Sequence, residues 1–455
     1  MDEQLATTRG AEALRPFAEI PRMSVPRLLA RVIGGGGRLR MRSGLERTHR
    51  EFGSIVAQGA GRFKMVNLYG PDANRFVLQD RDGIFSSRRP WTQIMGGIFT
   101  NGLLLHDGPD HMQQRRIMFQ AFKRPVLRGY TARMNPMIEE GLAAWPDRAE
   151  RFLAFDALKQ LTLDIAARLF VGVELGSEAS KMKQAFEAMV AASMPGGIRL
   201  PLPGLEYNRG LKGRSYMLRF LGDMLARKRA EEGPDIFSRL CHARTEEGDV
   251  LTDQQILDHM VFVMMAAHDT STSTLTSMVY ELARHPAWQE RIREESRALN
   301  RAHADFDELD QLSALSWAMR ETLRRYPPLP VIPRVATEPF EFGGFEFPAG
   351  VMVVISPIHT HYMDEWWTDP ERFDPERFAP GRQEDARHTH MWIPFGGGPH
   401  FCLGKRFGEA QVRMLMHQLA LHYRWSVPEN YRMPVQEAPI SKPRDGLPIA
   451  LERLH

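Results

Sequence analysis

The stretch Phe395-Gly-Gly-Gly-Pro-His-Phe-Cys-Leu-Gly404 decides the fold of this chain. Three glycines and a proline predict a tight loop, and a helical pattern follows from Lys405 to His422. Cys402 lies where the loop enters that helix, so main-chain N–H groups and the positive end of the helix dipole are expected to favour its thiolate. Gly404 leaves the start of the helix without a side chain, so a flat ligand can approach closely.

A single thiolate in such a loop is typical of an axial ligand to haem iron, which needs only one or two protein donors. A tetrahedral zinc site is disfavoured because no second Cys or His lies at a ligand-like spacing. A nucleophilic cysteine hydrolase stays open, although the chain has no clear His/Asn partner signature. Most free cysteines are simply small buried hydrophobes, and here the composition of the loop argues against that interpretation.

Composition excludes several classes of protein. The chain has 455 residues, and 59 Lys and Arg against 56 Asp and Glu give a formal net charge of +3. So small an excess gives no reason to expect a nucleic-acid partner. Two cysteines, Cys241 and Cys402, cannot form a disulfide scaffold and fit a cytoplasmic protein. The longest apolar run, Met260 to Ala267, is too short for a transmembrane anchor, and the N-terminus lacks the apolar region of a signal peptide.

The pattern along the chain predicts one mainly α domain with a minor β part over residues 1–455. Residues 1–40 are expected to be an N-terminal tail that packs on the body, and the amphipathic patch at 28–33 is interpreted as part of that packing rather than as a membrane contact. A strand is predicted at Phe63 to Leu68. A hairpin is predicted between Phe340 and Ile355, with Gly343-Gly344 as its turn.

One long helix is predicted from near Thr252 to about Arg284, with Gln255 completing a possible capping box. Its middle, Val261 to Ala267, is apolar nearly all round, so the helix should cross the interior. The polar run from Asp269 to Thr274 follows inside this apolar rod. Burying such groups is costly unless they are hydrogen-bonded or functional, so the run is a candidate part of a site.

The cysteine loop resembles the haem-thiolate loop of the cytochrome P450 family, F-x-x-G-x-[RH]-x-C-x-G. Three further segments resemble family motifs in the family's order: Glu321-Thr-Leu-Arg324 (E-x-x-R), Pro375-Glu-Arg-Phe378 (P-x-R-F) and Ala266-Ala-His-Asp-Thr-Ser271 (A-G-x-D-T-T). Ala267, Ser271 and His400 depart from the commoner Gly, Thr and Arg of those patterns. The resemblance runs from about Phe63 to the C-terminus and implies a P450-like fold, with haem between the long central helix and the cysteine-loop helix.

The resemblance implies a role for each matching residue. Cys402 would ligate the iron of haem b, while Asp269 and Thr270 would be catalytic and deliver protons. Thr270 would also bond the carbonyl of Ala266 and bend the helix beside the iron. The cofactor-binding set is completed by His111, Arg115, Ala266, Arg334, Phe395, Gly398, His400 and Gly404, of which His111, Arg115, Arg334 and His400 would hold the haem propionates. Glu321, Arg324 and Arg377 would form a buried charge network under the loop.

The implied activity is monooxygenation, in which one oxygen atom of O2 enters a lipophilic small molecule. No flavin or dinucleotide-binding signature is present, so the electrons are expected from a separate ferredoxin- or flavodoxin-type donor. Such a donor would dock on a basic patch, which comprises Arg116, Lys123, Arg124, Arg320, Arg325, Lys405 and Arg406. A monomer is expected.

Three alternatives stay open at this point. A haem-thiolate peroxygenase or isomerase commonly lacks the acid–alcohol pair, which is present here as Asp269-Thr270. A non-enzymatic haem sensor would bind haem without forming a product. On the substrate side, Arg88, Arg89 or Arg199 is a candidate partner for a carboxylate, with an ordinary solvated surface as the alternative.

Overall fold

The computed structural model describes residues 14–23, 41–59, 64–95, 97–173, 179–193 and 199–454. Helices form most of this part, and the smaller share of strand confirms the predicted mainly α fold. The helices are α1 (Met41–Phe52), α2 (Pro71–Gln79), α3 (Arg88–Met95), α4 (Gly108–Phe119), α5 (Arg124–Ala143), α6 (Ala154–Ala166), α7 (Ala179–Ala192), α8 (Glu206–Ala230), α9 (Ile236–His242), α10 (Asp253–Arg284), α11 (Pro286–Ala298), α12 (Ser313–Arg325), α13 (Pro357–Thr360) and α14 (Lys405–His422).

Short strands assemble into small sheets at the edges of the helical body. The strands are β1 (Ile55–Gln58), β2 (Met65–Leu68), β3 (Phe85–Ser86), β4 (Arg148–Leu153), β5 (Ile332–Ala336), β6 (Phe340–Phe342), β7 (Phe345–Phe347), β8 (Met352–Ile355), β9 (Tyr423–Ser426), β10 (Val435–Gln436), β11 (Lys442–Pro443) and β12 (Pro448–Arg453). The largest sheet has the order β1-β2-β8-β5-β3, and a three-stranded sheet has the order β4-β12-β9. The pairs β6-β7 and β10-β11 stand alone.

The long helix α10 lies where the sequence places it. Thr252 Oγ1 accepts from the N–H of Gln255 at 3.3 Å, and Gln255 Oε1 accepts from the N–H of Thr252 at 2.9 Å, so the predicted capping box is present. Val261 and Met264 in the apolar middle are buried, and α10 packs on α6, α8, α12 and α14. The helix therefore crosses the interior and sets the position of every residue along it.

The predicted hairpin is also present, whereas strand β5 was missed. Gly343 and Gly344 both adopt positive φ, at 57° and 79°, in the turn between β6 and β7, a conformation that glycine adopts at little cost. Strand β5 runs through a proline-rich segment that looks like a bend, with Pro333 paired against Val354. Strand β5 forms because it pairs with β8 and β3, and β3 is far from it in the sequence. The local residue pattern alone therefore did not predict this strand.

The N-terminal tail is described only over residues 14–23. Ile20 is buried there in the same apolar cluster as Val66 of the large sheet and Phe345 of the β6-β7 pair, so this part of the chain packs on the body. The amphipathic patch at 28–33 lies outside the described residues. Among the helices that the structure does describe, none has both the length and the apolar character needed to cross a bilayer.

Candidate functional site

A cavity of about 300 Å³ lies between α10, the cysteine loop and the start of α14. Apolar side chains form much of its wall, including Trp91, Leu103, Leu104, Phe262, Val263, Met319, Leu323, Leu329 and Ile332. Of the residues predicted for the site, those that line it are His111, Arg115, Ala266, Thr270, Arg334, Phe395, His400, Cys402 and Gly404. Asp269 and Gly398 are not on its wall.

Cys402 opens onto this cavity from the end of a closed loop. Its N–H donates to the carbonyl of Phe395 at 3.0 Å, which brings the two ends of the loop together. Burial raises the pKa of the Cys402 thiol, while the N–H groups of Gly404 and Lys405 and the charge of Arg115 act to lower it. The main-chain stabilisation expected from the sequence is therefore present but smaller than the cost of burial. A metal ion bound to the sulfur would reverse that balance.

The other cysteine lies in a different environment. Cys241 is buried in the main apolar cluster, and burial raises its pKa to about 11. It does not line the cavity, so Cys402 supplies the only cysteine sulfur there. Within the described ranges, no cluster of three His, Cys, Asp or Glu side chains could hold a metal ion. One sulfur in a loop of main-chain donors is the donor set that haem iron takes from a protein.

Two glycines of the loop have different surroundings. Gly398 has a φ of 59°, and a Cβ there would collide with the carbonyl oxygen of Leu78 at the end of α2. Its small size thus serves the packing of the loop against α2 rather than contact with the cavity. A Cβ on Gly404 would meet no atom within 4 Å, since this residue faces the open space beside Cys402.

One edge of the cavity is rich in basic side chains. The rings of His111 and His400 lie 4.0 Å apart, and Arg115 and Arg334 line the same edge. Burial and the neighbouring cations lower the pKa of His111 to about 4 and that of His400 to about 2, and burial lowers the pKa of Arg334 to about 10. Asp107 is the nearby acid, with its Oδ1 3.8 Å from His400 Nε2.

Apart from His400, which lies near Asp107, these basic groups have no ion pair within the described part of the chain. Neither Arg115 nor Arg334 forms an ion pair with a described residue, and Nε2 of His111 is buried without a hydrogen-bond partner. Unpartnered donors of this kind in a buried site call for an acceptor from outside the chain. The two carboxylates of a haem would supply it, so the residues present fit that group on both the sulfur side and the basic edge.

Helix α10 meets the cavity at Ala266 and Thr270. Thr270 Oγ1 donates to the carbonyl of Ala266 at 2.6 Å, which confirms the predicted bond, and Thr274 Oγ1 donates to the carbonyl of Thr270 at 2.9 Å. Asp269 is 17% exposed and its Oδ1 lies 3.1 Å from Nδ1 of His268. The hydroxyl therefore faces the cavity, while the carboxylate lies beside a histidine that the sequence analysis did not single out.

The predicted charge network is present and wholly buried. Glu321 accepts from Arg324 Nε at 2.7 Å and lies 3.0 Å from Arg377 Nε, and all three side chains are 0% exposed. His361 extends this network toward the cysteine loop: its ring bonds the carbonyl of Arg324 at 3.0 Å and accepts from the N–H of Ile393 at 2.9 Å. Sequence reasoning missed His361, because nothing near it along the chain marks this bridge.

Only some residues of the predicted basic patch are exposed and free of an ion pair with a described residue. The prediction that Arg325 belongs to this exposed patch is wrong, because its guanidinium is bonded to the buried carboxylate of Glu281 at 2.9 Å. Arg320 is paired with Asp385, and Arg124 with Asp307. The residues that remain exposed without an ion pair in the described structure are Arg116, Lys123 and Arg406.

Comparisons with known proteins agree with this geometry. The family model of Cytochrome P450 matches residues 31–448, and the chain therefore belongs to the cytochrome P450 family. A protein of Mycobacterium tuberculosis that is named as cytochrome P450 136 is 35% identical over 403 residues, covering 88% of this chain and 82% of that protein. The beta-amyrin 28-monooxygenase of Solanum lycopersicum is 26% identical over 399 residues, covering 85% of this chain and 82% of that enzyme.

A solved structure shares the whole architecture. The retinoic acid-bound cyanobacterial CYP120A1 superposes with a TM-score of 0.84 at 25% identity, covering 97% of this chain and 100% of that chain. The protein is thus a haem-thiolate monooxygenase of the P450 class. Enzymes of this class use a substrate and a redox partner.

Proposed function

We propose that this chain binds haem b through Cys402 and inserts one oxygen atom of O2 into a lipophilic small molecule. The observation that carries the proposal is a single, mostly apolar cavity. Its wall includes the sulfur of Cys402, the hydroxyl of Thr270 and the basic side chains of one edge. His111, Arg115, Arg334 and His400 would hold the propionates at that edge. When bound, haem supplies the activation of O2, which no side chain of this set can perform alone.

The protein's own part is to position the substrate, exclude water and move protons. Thr270 donates its hydroxyl proton to the carbonyl of Ala266 and lies at the cavity wall, so rotation of the hydroxyl away from that carbonyl would let it give this proton to a group bound in the cavity. Asp269 is partly exposed, so it can take protons from solvent and return them to Thr270. Phe262 and Val263 cover the inner wall of the cavity with apolar surface.

A large apolar substrate suits the wall of the cavity. The names of two relatives agree with this: one acts on beta-amyrin, and one is bound to retinoic acid. Both molecules are mostly hydrocarbon, and both exceed the size of a simple aromatic ring. Burial of such surface is the main source of affinity in an apolar pocket.

The electron donor is proposed to dock on the exposed face of α4 and the cysteine loop. Met112, Arg116 and Phe119 follow each other at i, i+4 and i+7, so they share one face of the helix. Met112 is 40% exposed and Phe119 50%, which is unusual for such large apolar groups. Phe401 of the cysteine loop is exposed as well. A small acidic electron-transfer protein of the ferredoxin or flavodoxin type matches this mixed apolar and basic face.

The first test concerns the sulfur ligand. Cys402→Ser should lose the carbon monoxide spectrum of a thiolate-ligated haem, because a serine oxygen cannot replace the thiolate. Cys241→Ala is the matched control and should keep that spectrum, since Cys241 lies away from the cavity. A thiolate spectrum that persists in Cys402→Ser would refute the assignment.

The second test concerns the reaction. Incubation with labelled O2, a reductase system and apolar compounds should give a product that carries one labelled oxygen atom. Turnover with peroxide but never with O2 and reductase would identify a peroxygenase instead. Haem binding without any product from either oxidant would identify a sensor.

A further inference from the structure

The carboxylate of Asp269 lies beside a buried histidine that has no part in the proposed function. His268 precedes it on α10 and is 1% exposed, and its Nδ1 lies 3.1 Å from Asp269 Oδ1. We propose that His268 is a positioning residue that shares one proton with the Asp269 carboxyl and so keeps a proton in reserve for Thr270. The inference rests on the proposed function, because it adds a residue to the proton path of the same monooxygenase site.

The surroundings of His268 determine where its ring carries hydrogen. Nε2 lies 3.0 Å from the main-chain carbonyl of Lys159 on α6. A carbonyl oxygen can only accept a hydrogen bond, so Nε2 is the donor and carries a hydrogen. In a neutral imidazole the other nitrogen, Nδ1, then has a lone pair and no hydrogen. The nitrogen beside Asp269 is therefore the one that can gain a proton.

A bare Nδ1 beside a carboxylate is an unfavourable contact. Both atoms would present lone pairs to each other at 3.1 Å, and the nitrogen is shielded from water. One proton between them removes this repulsion, either as an imidazolium beside a carboxylate or as an imidazole that accepts from a carboxylic acid. Nδ1 makes no aligned hydrogen bond in the described structure, so no other group competes for it. The pair therefore holds one proton in either form.

The ring of His268 is fixed, so it acts through Asp269 and not by moving itself. Phe186 of α7 packs edge-on against the ring, with the two ring centroids 5.6 Å apart. The bond to the carbonyl of Lys159 holds the ring on α6. Asp269 is the more exposed member of the pair, at 17%, and its side chain has room to turn.

The charges around the pair balance one another. His268 contacts α6 through Lys159 and α7 through Phe186, and the ammonium of Lys159 pairs with Glu187 of α7 at 2.7 Å. Within the described part of the chain, neither His268 nor Asp269 forms a second ion pair. The other ionisable groups on these two helices are two acids and two bases: Asp156, Asp164, Lys181 and Lys183. The shared proton is therefore governed mainly by the contact between His268 and Asp269.

The path accounts for each proton. Asp269 does not line the cavity, whereas Thr270 does, so the carboxyl turns away from His268 to give its proton to the Thr270 oxygen. Thr270 at the same time gives its own hydroxyl proton to a group bound in the cavity. The pair is then an imidazole and a carboxylate, one proton short. Asp269 takes a proton from solvent, and the contact with His268 returns the carboxyl to its first position.

The first experiment detects the shared proton in the haem-loaded full chain. Nitrogen NMR of the histidine-labelled protein, in the ferrous form with carbon monoxide bound, separates a bare ring nitrogen from one that is protonated or hydrogen-bonded. The signal of His268 is assigned from its contact with the Phe186 ring. At pH 7.5 its Nδ1 should be protonated or hydrogen-bonded in the wild type and bare in Asp269→Ala. A bare Nδ1 in the wild type would overturn the proposal.

The second experiment measures the yield of product per electron as a function of pH. The wild-type yield should fall several-fold from about pH 6 to about pH 9, because an imidazole pair loses its stored proton in this range. His268→Gln keeps a donor for the carbonyl of Lys159 but has no ring nitrogen to titrate. Its yield should already be several-fold lower at pH 6 and should then stay constant with pH. A purely structural role would lower the yield without removing its pH dependence.

The matched control is His417→Gln on α14. His417 is also a buried helical histidine, and its Nε2 bonds a main-chain carbonyl, that of Arg301, at 3.0 Å. It does not line the cavity and has no acidic partner in an ion pair within the described structure. This variant should keep the wild-type dependence of the yield on pH.

Two further results would overturn the proposal. One is a fall in yield with pH in His268→Gln that equals the fall in the wild type, and the other is loss of that fall in His417→Gln. Should His268→Gln fail to load haem, the NMR comparison of the wild type with Asp269→Ala decides alone. A failure of the proposed function appears elsewhere, as a wild type that incorporates no oxygen from O2 at any pH while the NMR result stands.

Discussion

The two sides of the cavity are held by different kinds of contact. Below the cysteine loop, Glu321 lies between Arg324 and Arg377 in a network that water does not reach. Above the cavity, Asp258 of α10 pairs with Arg214 of α8 at 2.8 Å, and Arg214 is 21% exposed. The difference indicates which side separates more easily. No member of the lower network reaches water, whereas Arg214 of the upper pair is partly exposed and can bond to water instead, although Asp258 is only 2% exposed.

The upper contact joins three elements beside the cavity. Asp258 also accepts from Thr100 and Asn101, in the loop between α3 and α4, both at 3.2 Å. One carboxylate therefore connects that loop, α8 and the long helix α10. The lower network instead connects α12 to the segment before the cysteine loop, which has to keep one geometry around the sulfur.

The largest expected effect is on the lower network. Glu321→Gln should destabilise the protein by roughly 3–5 kcal/mol, because it leaves the buried Arg324 without its carboxylate and Arg377 with that of Glu384 alone. Urea unfolding and haem content measure the effect, and both should fall. Glu294→Gln on the exposed side of α11 is the control and should change neither. Normal haem content in Glu321→Gln would show that the network is not needed to shape the loop.

The second prediction concerns acid. Burial, together with the charge of Arg324, lowers the pKa of His361 to about 3. The unfolded histidine takes up its proton near pH 6.5, so stability that is present above this pH is lost as the pH falls from 6.5 toward 3. At pH 5 the loss from this residue is about 2 kcal/mol.

The variant His361→Asn tests that assignment. It should be less stable than the wild type at pH 7.5, since the N–H of Ile393 loses its acceptor. Between pH 7.5 and pH 5 it should lose less stability than the wild type does. Gln113→Ala, at an exposed position with no ionisable group, provides the control variant, with an unchanged pH dependence. An equal slope in His361→Asn would contradict the prediction.

The third prediction concerns the upper contact. Asp258→Asn should cost roughly 1–2 kcal/mol, because the amide keeps part of the hydrogen bonding and Arg214 can turn to water. Dissociation of a bound apolar ligand should become several-fold faster, as followed by stopped-flow haem absorbance. Asp223→Asn on the exposed side of α8 is the control. An unchanged dissociation rate would show that the Asp258 carboxylate does not control the release of a bound ligand.

The smallest change in stability is expected at Thr270. Thr270→Ala removes one hydrogen bond within a helix, so unfolding should shift by less than about 1 kcal/mol. The yield of product per electron should nevertheless fall several-fold, with peroxide formed instead, because the hydroxyl at the cavity is gone. Thr276→Ala removes the same kind of bond, to the carbonyl of Thr272 and away from the cavity. This control should keep the wild-type yield of product per electron. Full coupling in Thr270→Ala would count against the proton path.

Much of the site could be predicted because its signals are local. The cysteine loop, the capping box at Thr252 and the bond from Thr270 to Ala266 each depend on residues within a few positions of one another. Glycine, proline and helix-capping residues act on their own neighbourhood, so their spacing is informative without any tertiary contact. The Gly343-Gly344 hairpin was predictable for the same reason.

Other features required contacts between distant parts of the chain. Arg325 looks like a surface cation, yet it pairs with Glu281, which lies 44 positions earlier. His361 bridges Arg324 and Ile393 from a segment with no motif of its own. Nothing in the local pattern distinguishes these residues from ordinary surface or core positions, since burial and partners are properties of the packed chain.

By itself, the sequence determined the mainly α fold, the long central helix and the sulfur that opens onto the cavity. These features follow from short sequence patterns in which neighbouring residues determine the backbone conformation. Only the tertiary structure decided which basic residues of the predicted docking patch stay exposed and which are neutralised by carboxylates. The physical reason is that a charge takes its role from what lies within a few ångströms of it, and in a folded chain those neighbours come from far along the sequence.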